Sequence, residues 1–118
     1  MRTDMRRDLT AALKNRDKTA AAALRSALAA VENAEATDPG LPAAAADSEH
    51  VAGAAAGVGA AEAERRALSE ADVRAIVARE ADERSASAQE YERLGRADAA
   101  GRLRAEAEVL GRYLRPEA

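Results

Sequence analysis

The chain of 118 residues contains no cysteine, phenylalanine or tryptophan, and its only aromatic side chains are Tyr91 and Tyr113. The absence of cysteine excludes disulfide bonds, thiol catalysis and cysteine-ligated metal sites. It agrees with a reducing compartment, so we expect a cytoplasmic protein. With so few aromatic residues the core must depend on leucine, valine and alanine, and an alanine methyl stabilises a fold far less than a leucine side chain does. The sequence therefore predicts a thin core.

The chain also lacks a strong positive charge and any long apolar run. Its formal net charge is -3 and its pI is about 5.3, whereas nucleic-acid-binding domains usually have a pI above about 9. The charge is uneven, because residues 1–36 sum to +2 and the remainder to -5. The longest uncharged run near the amino terminus, residues 9–13, is too short for a signal peptide or a membrane span. We expect no DNA and no membrane among its partners.

Apart from its carboxylates, the chain has few residues of the types that support catalysis or metal binding. The single histidine, His50, lies in an alanine- and glycine-rich stretch, and we interpret it as a solvated loop residue. A nucleophile needs a positioned base, and a helical metal site needs Glu-x-x-His pairs, neither of which is present. Gly57-Val58-Gly59 lacks the strand and the Lys-Ser/Thr pair of a phosphate loop. The sequence predicts no catalytic residue, no metal site and no cofactor.

What the chain does contain is apolar residues at helical spacing. Met5, Leu9, Ala12 and Leu13 predict a helix over residues 3–14, and Asp17 is a plausible N-cap for a second helix. The small apolar positions of that helix allow a close neighbour, so the two helices should form a hairpin. They are Ala20, Ala21, Leu24, Ala27, Leu28 and Val31.

The second half of the chain predicts two further helices after a linker rich in alanine and glycine. Ser69 with Asp72 forms a capping box, which opens a helix that ends at Gly95. Apolar residues of this helix lie roughly on one side, among them Val73, Ile76, Val77, Tyr91 and Leu94. A last amphipathic helix covers residues 97–113. No segment alternates with period 2. The prediction is therefore one all-α domain over residues 1–118, a small bundle of about four helices, with a hairpin at 1–36, a linker at 37–68 and a long-helix hairpin at 69–118.

Charged residues cover the third predicted helix, and two interpretations stay open. Glu80 and Arg84 have the stabilising i,i+4 spacing, and most carboxylates there are interleaved with arginines, as on a solvated ion-paired face. Alternatively, the arginines around Tyr91 present guanidinium groups and a stacking ring to RNA or to an acidic partner.

Five sequence blocks, in order, resemble the GatB/YqeY family. Residues 9–18 (LTAALKNRDK) are similar to its opening L..AMK..DK, and residues 24–33 (LRSALAAVEN) to its LR.L.AAI.N helix. Residues 68–73 (LSEADV) resemble LT.EEV, and residues 91–98 (YERLGRAD) resemble F..AGR.D. Residues 106–116 (EAEVLGRYLRP) are similar to E..L..YLP, the last motif of the family pattern. By this resemblance the linker is longer than usual, and the C-terminal helical subdomain typical of the family is expected to be absent.

The resemblance implies a link to glutamine-dependent amidation of misacylated tRNA. The family label is carbon-nitrogen ligase activity with glutamine as amido-N-donor, but in the amidotransferase that chemistry belongs to other parts, while the GatB tail helps to hold tRNA. We therefore expect a non-catalytic helical adaptor that binds tRNA, an amidotransferase subunit or another protein.

The alternatives are ligase activity exercised only with a partner, and a structural module that forms homo-oligomers. Binding residues are expected at Arg25 and Asn33 in the second helix, and at Arg84, Tyr91 and Arg96 in and after the third.

Overall fold

The computed structural model of the chain describes residues 1–36 and 67–116. Within those ranges the chain forms four α-helices and no strand. They are Arg2–Lys14 (α1), Lys18–Ala36 (α2), Glu70–Arg93 (α3) and Ala97–Gly111 (α4). The all-α prediction is therefore confirmed. The predicted linker lies outside the described residues except for Ala67 and Leu68, as do His50 and the Gly57-Val58-Gly59 motif.

Contacts divide the chain into two compact units. One unit consists of Met1–Val31 with Ser69–Ala118, and the other is Glu32–Leu68. Of the second unit the structure describes the end of α2 and the two residues before Ser69.

Both predicted helix caps are confirmed. The Asp17 carboxylate accepts the backbone N–H of Ala20 at 3.0 Å at the start of α2. The Ser69 hydroxyl accepts the N–H of Asp72 at 3.0 Å, and the Asp72 carboxylate accepts the N–H of Ser69 at 3.1 Å. Such caps satisfy amides that have no acceptor within the helix. Short polar side chains therefore determine where these two helices begin.

α1 and α3 each end in a turn of the same kind. One residue takes the left-handed conformation, and the backbone N–H of the next residue donates back to a carbonyl of the helix. At the end of α3, Gly95 has φ +75° and the Arg96 N–H donates to the Tyr91 carbonyl at 2.8 Å. At the end of α1, Arg16 has φ +57° and the Asp17 N–H donates to the Ala12 carbonyl at 2.8 Å. This is the Schellman arrangement, which ends a helix and gives its last carbonyls hydrogen-bond partners. Each turn leads directly into the next helix.

The core of the described residues is apolar and rich in alanine. Fifteen apolar side chains are buried, and seven of them are alanine. No charged or polar side chain in the described ranges is buried. The largest fully buried side chains come from all four helices: Met5, Leu24, Val31, Val73, Val77 and Leu110. The prediction of a thin core is confirmed.

Two leucines that the sequence pattern assigned to apolar stripes lie on the surface instead. Leu13 is 47% exposed and Leu94 is 64% exposed. Leu13 lies one residue after the buried Ala12, and successive residues of a helix are rotated by about 100°. Leu94 is the C-cap of α3, where the chain already turns away. The last helix also ends earlier than predicted, at Gly111.

Candidate functional site

Tyr91 and Arg96 lie side by side at the turn between α3 and α4. The Arg96 guanidinium carbon is 5.8 Å from the centroid of the Tyr91 ring, within the range of a cation–π contact. The backbone bond from Arg96 to Tyr91 described above holds the two residues together, and Gly95 permits the turn. Tyr91 is half-buried and Arg96 is exposed. The structure therefore brings together two of the five predicted binding residues.

The start of α4 forms a shallow depression next to this pair. The N-cap residue, Arg96, makes no side-chain hydrogen bond to the first turn of the helix. The depression has a volume of about 450 Å³, and its lining includes Arg96, Asp98 and Arg102. Two guanidinium groups beside free helix amides favour an anionic group, and the Asp98 carboxylate opposes it. The turn therefore combines a ring face with cationic donors.

Arg84, the third residue of the predicted set from this part of the chain, is engaged inside the protein. Its Nη1 lies 3.1 Å from Glu80 Oε1 and its Nε lies 2.9 Å from Glu106 Oε1. The Ser26 hydroxyl donates to the same Glu80 oxygen at 2.9 Å. The Arg84 side chain is only 14% exposed. The predicted i,i+4 pair is confirmed. The guanidinium joins α3 to α4, and Glu80 in turn accepts the bond from Ser26 of α2. A role of Arg84 in binding stays a prediction.

Two of the five predicted binding residues, Arg25 and Asn33, belong to α2. Arg25 is exposed and takes part in no ion pair of the described residues. Asn33 is also exposed and belongs to the Glu32–Leu68 unit. Their roles in binding stay predictions.

A contact between the two ends of the first unit has no signal in the sequence. The Tyr113 hydroxyl donates to the Asp8 carboxylate, and Arg74 donates to the backbone carbonyls of Tyr113 and Leu114. Burial of the phenol and its hydrogen bond to Asp8 raise the pKa of Tyr113 well above its usual value. The residues are 105 positions apart, so local spacing could not reveal the pair.

We expect this contact to make stability fall in alkaline solution. A raised phenol pKa in the folded state stabilises the fold fully below the unfolded value of about 10, and this contribution is lost as pH rises above it. Tyr113→Phe should remove this part of the dependence of the free energy of unfolding on pH. It should also lower the free energy of unfolding at neutral pH by about 1 kcal/mol, because a hydrogen bond is lost. Urea unfolding between neutral and alkaline pH measures both effects. Tyr91→Phe is the matched control, and an unchanged slope in Tyr113→Phe would contradict the assignment.

The described residues contain neither a candidate metal site nor a candidate membrane span. Among residues 1–36 and 67–116 no group of three or more acidic or histidine side chains is placed to hold a metal ion. No helix in those ranges is long and apolar enough to cross a membrane.

Comparison with known proteins adds one finding. The profile described as Yqey-like protein matches residues 44–118, which is more than half of the chain. Three of the five blocks quoted above lie in that range, and the blocks at residues 9–18 and 24–33 precede it. No curated protein and no solved structure matches the chain. The matched range includes all of α3 and α4 with the Tyr91 and Arg96 turn, and the chain belongs to the YqeY-like protein family.

Proposed function

We propose that this chain is a non-catalytic helical adaptor that binds tRNA, or a subunit of a tRNA-dependent amidotransferase, at the turn between α3 and α4. The observation that carries the proposal is the exposed Arg96 guanidinium held over the Tyr91 ring. Arginine contacts phosphate or carboxylate groups, and a tyrosine ring offers a face on which a base or a planar side chain can stack. The function is then to position a partner.

The neighbouring arginines Arg93 and Arg104 are already paired with carboxylates, which supports this choice of site. Arg93 pairs with Glu90, and Arg104 lies 2.8 Å from Glu92. Arg96 takes part in no ion pair of the described residues, so its charge is available to a partner. The backbone bond from Arg96 to Tyr91 fixes the main chain of Arg96 beside the ring before binding, which lowers the entropy that association costs.

The proposal predicts that recovery of a specific partner depends on this pair. A tagged chain is used to isolate partners from cell lysate, with and without nuclease and at two salt concentrations, and the bound RNA and proteins are identified. Tyr91→Ala should reduce the recovered tRNA or amidotransferase subunit at least about five-fold, because a stacked contact is lost. Arg96→Ala should weaken binding and reduce its salt dependence.

Arg79→Ala is the matched control, because Arg79 is an exposed arginine of the same helix α3. Circular dichroism checks that each variant remains helical. Recovery of neither class of partner, or an equal loss in the control, would contradict the adaptor. Glutamine hydrolysis that requires this chain, alone or with an amidotransferase subunit, would instead favour the ligase alternative.

Homo-oligomerisation is a second candidate, favoured by the exposure of Leu94 beside Tyr91. A leucine that is 64% exposed at the end of a helix is well placed to pack against a second copy. Sedimentation velocity at several protein concentrations tests this: association that Leu94→Ser abolishes would support it. A monomer at all concentrations would remove it.

A further inference from the structure

A cavity of about 300 Å³ is lined by residues of α1, α2 and the end of α4, all of which belong to the first unit. Its volume is at the lower limit for small-molecule sites, which begin at about 300 Å³. Three of its lining residues are buried and apolar, namely Ala12 of α1, Leu24 of α2 and Val109 of α4. Asp8 and Tyr113, which are joined by a hydrogen bond, also line it. The cavity therefore has an apolar base, and a bond between two helices holds its walls together.

Polar groups of both charges line the same cavity. Arg112, the C-cap residue of α4, is exposed, and its guanidinium makes no hydrogen bond and no ion pair in the part of the chain that the structure describes. One oxygen of the Asp17 carboxylate accepts the backbone N–H of Ala20, and no group of the described ranges binds the other oxygen. The cavity therefore offers an unpaired cation and a carboxylate with one oxygen to spare.

This combination of charges discriminates between classes of ligand. A simple anion would pair with Arg112, but Asp17 and Asp8 would repel it. A simple amine would pair with Asp17, but Arg112 would repel it. A ligand that carries both charges gains a charge-assisted hydrogen bond at each end. An aliphatic part of that ligand would remove the apolar surface of Leu24 and Val109 from water.

We propose that this cavity binds a small zwitterion with an aliphatic body, which is the chemistry of a free aliphatic amino acid. The ligand carboxylate pairs with Arg112, its ammonium group pairs with Asp17, and its side chain covers Leu24 and Val109. The cavity shares no lining residue with the depression at the start of α4. The site is therefore separate from the turn used by the proposed adaptor, and neither proposal depends on the other.

Titration of the full chain, followed by the NMR chemical shifts of its backbone amides, tests the proposal with L-leucine as the probe. Two analogues of similar shape are the matched ligands: isocaproate lacks the ammonium group, and isoamylamine lacks the carboxylate. Leucine should shift the amides of the cavity residues saturably. Each analogue should bind about two- to five-fold more weakly, as expected for the loss of one exposed charge contact. Glycine, which keeps both charges without the aliphatic body, should also bind more weakly.

Two variants assign the charges of the ligand to the two residues. Arg112→Gln should weaken leucine and isocaproate about two- to five-fold, but not isoamylamine, because the amine loses only a repulsion. Asp17→Asn should weaken leucine and isoamylamine but not isocaproate, and asparagine still caps α2. Arg79→Gln and Asp82→Asn are the matched controls, since both residues are exposed on α3 and do not line the cavity.

The opposite responses of the two analogues separate a binding role from a structural one, because a distorted cavity would weaken all three ligands alike. The proposal is overturned if leucine causes no saturable shift at the cavity residues, or if either analogue binds as tightly as leucine. It is also overturned if Arg112→Gln and Asp17→Asn bind leucine normally, or if they weaken all three ligands equally.

Discussion

Replacing Arg84 with methionine should lower the free energy of unfolding by about 2–3 kcal/mol. The guanidinium lies between Glu80 and Glu106, whose side chains are 18% and 20% exposed. Without Arg84, two poorly hydrated carboxylates lose their counter-charge and repel each other, and this penalty exceeds the gain from an apolar side chain. The loss of stability should be large because the guanidinium bonds to α3 and to α4 at the same time.

The same site predicts a rescue. Glu80→Gln and Glu106→Gln, added to Arg84→Met, remove both orphaned charges and should bring stability back to within about 1 kcal/mol of the original chain. Urea unfolding followed by circular dichroism measures each variant, and the coupling follows from the double-mutant cycle. Arg79→Met is the control, since Arg79 is exposed on the same helix. An Arg84 variant as stable as this control would show that the ion pairs contribute nothing.

The rescue also bears on how Arg84 is used. If the triple variant folds normally and still binds the partner of the proposed adaptor, the arginine has a structural role alone. If it folds normally but binds poorly, the guanidinium has a role in binding despite its low exposure. Stability and partner recovery measured on one variant therefore distinguish the two interpretations of this residue.

Features that depend on neighbouring residues could be predicted from the sequence. The capping box of Ser69 and Asp72 and the glycine turn at Gly95 require only three or four positions, because each satisfies backbone groups of its own helix end. The pair of Glu80 and Arg84 follows from the helical repeat in the same way. These local rules located both ends of α3 and hence the turn that carries Tyr91 and Arg96.

Features that depend on how the helices pack could not be predicted in this way. The spacing that identified Glu80 for Arg84 gives no information about Glu106, which comes from the facing helix. The partners Tyr113 and Asp8 are likewise joined only by the fold. The apolar pattern also placed Leu94 with Tyr91 on the core side, because periodicity cannot show that the chain turns away at the C-cap residue. For the two partner pairs the deciding quantity is a distance between helices.

The thin core leads to the largest single-residue effect that we expect. Leu110→Ala should lower the free energy of unfolding by about 3 kcal/mol, because Leu110 is fully buried and its removal leaves a cavity. The total free energy of unfolding of a small domain is only about 5–15 kcal/mol. With seven alanines among 15 buried apolar residues, few larger side chains are available to compensate. The variant should unfold at a much lower urea concentration.

Leu94→Ala is the matched control for this prediction, since it is the same substitution at a position that is 64% exposed. It should change the free energy of unfolding by less than about 0.5 kcal/mol. An equal loss in both variants would mean that Leu94 is buried in solution. If that loss also depended on protein concentration, the covering surface would be a second copy of the chain, because stability from association follows mass action. The pair of substitutions therefore tests the core and the oligomeric state in one experiment.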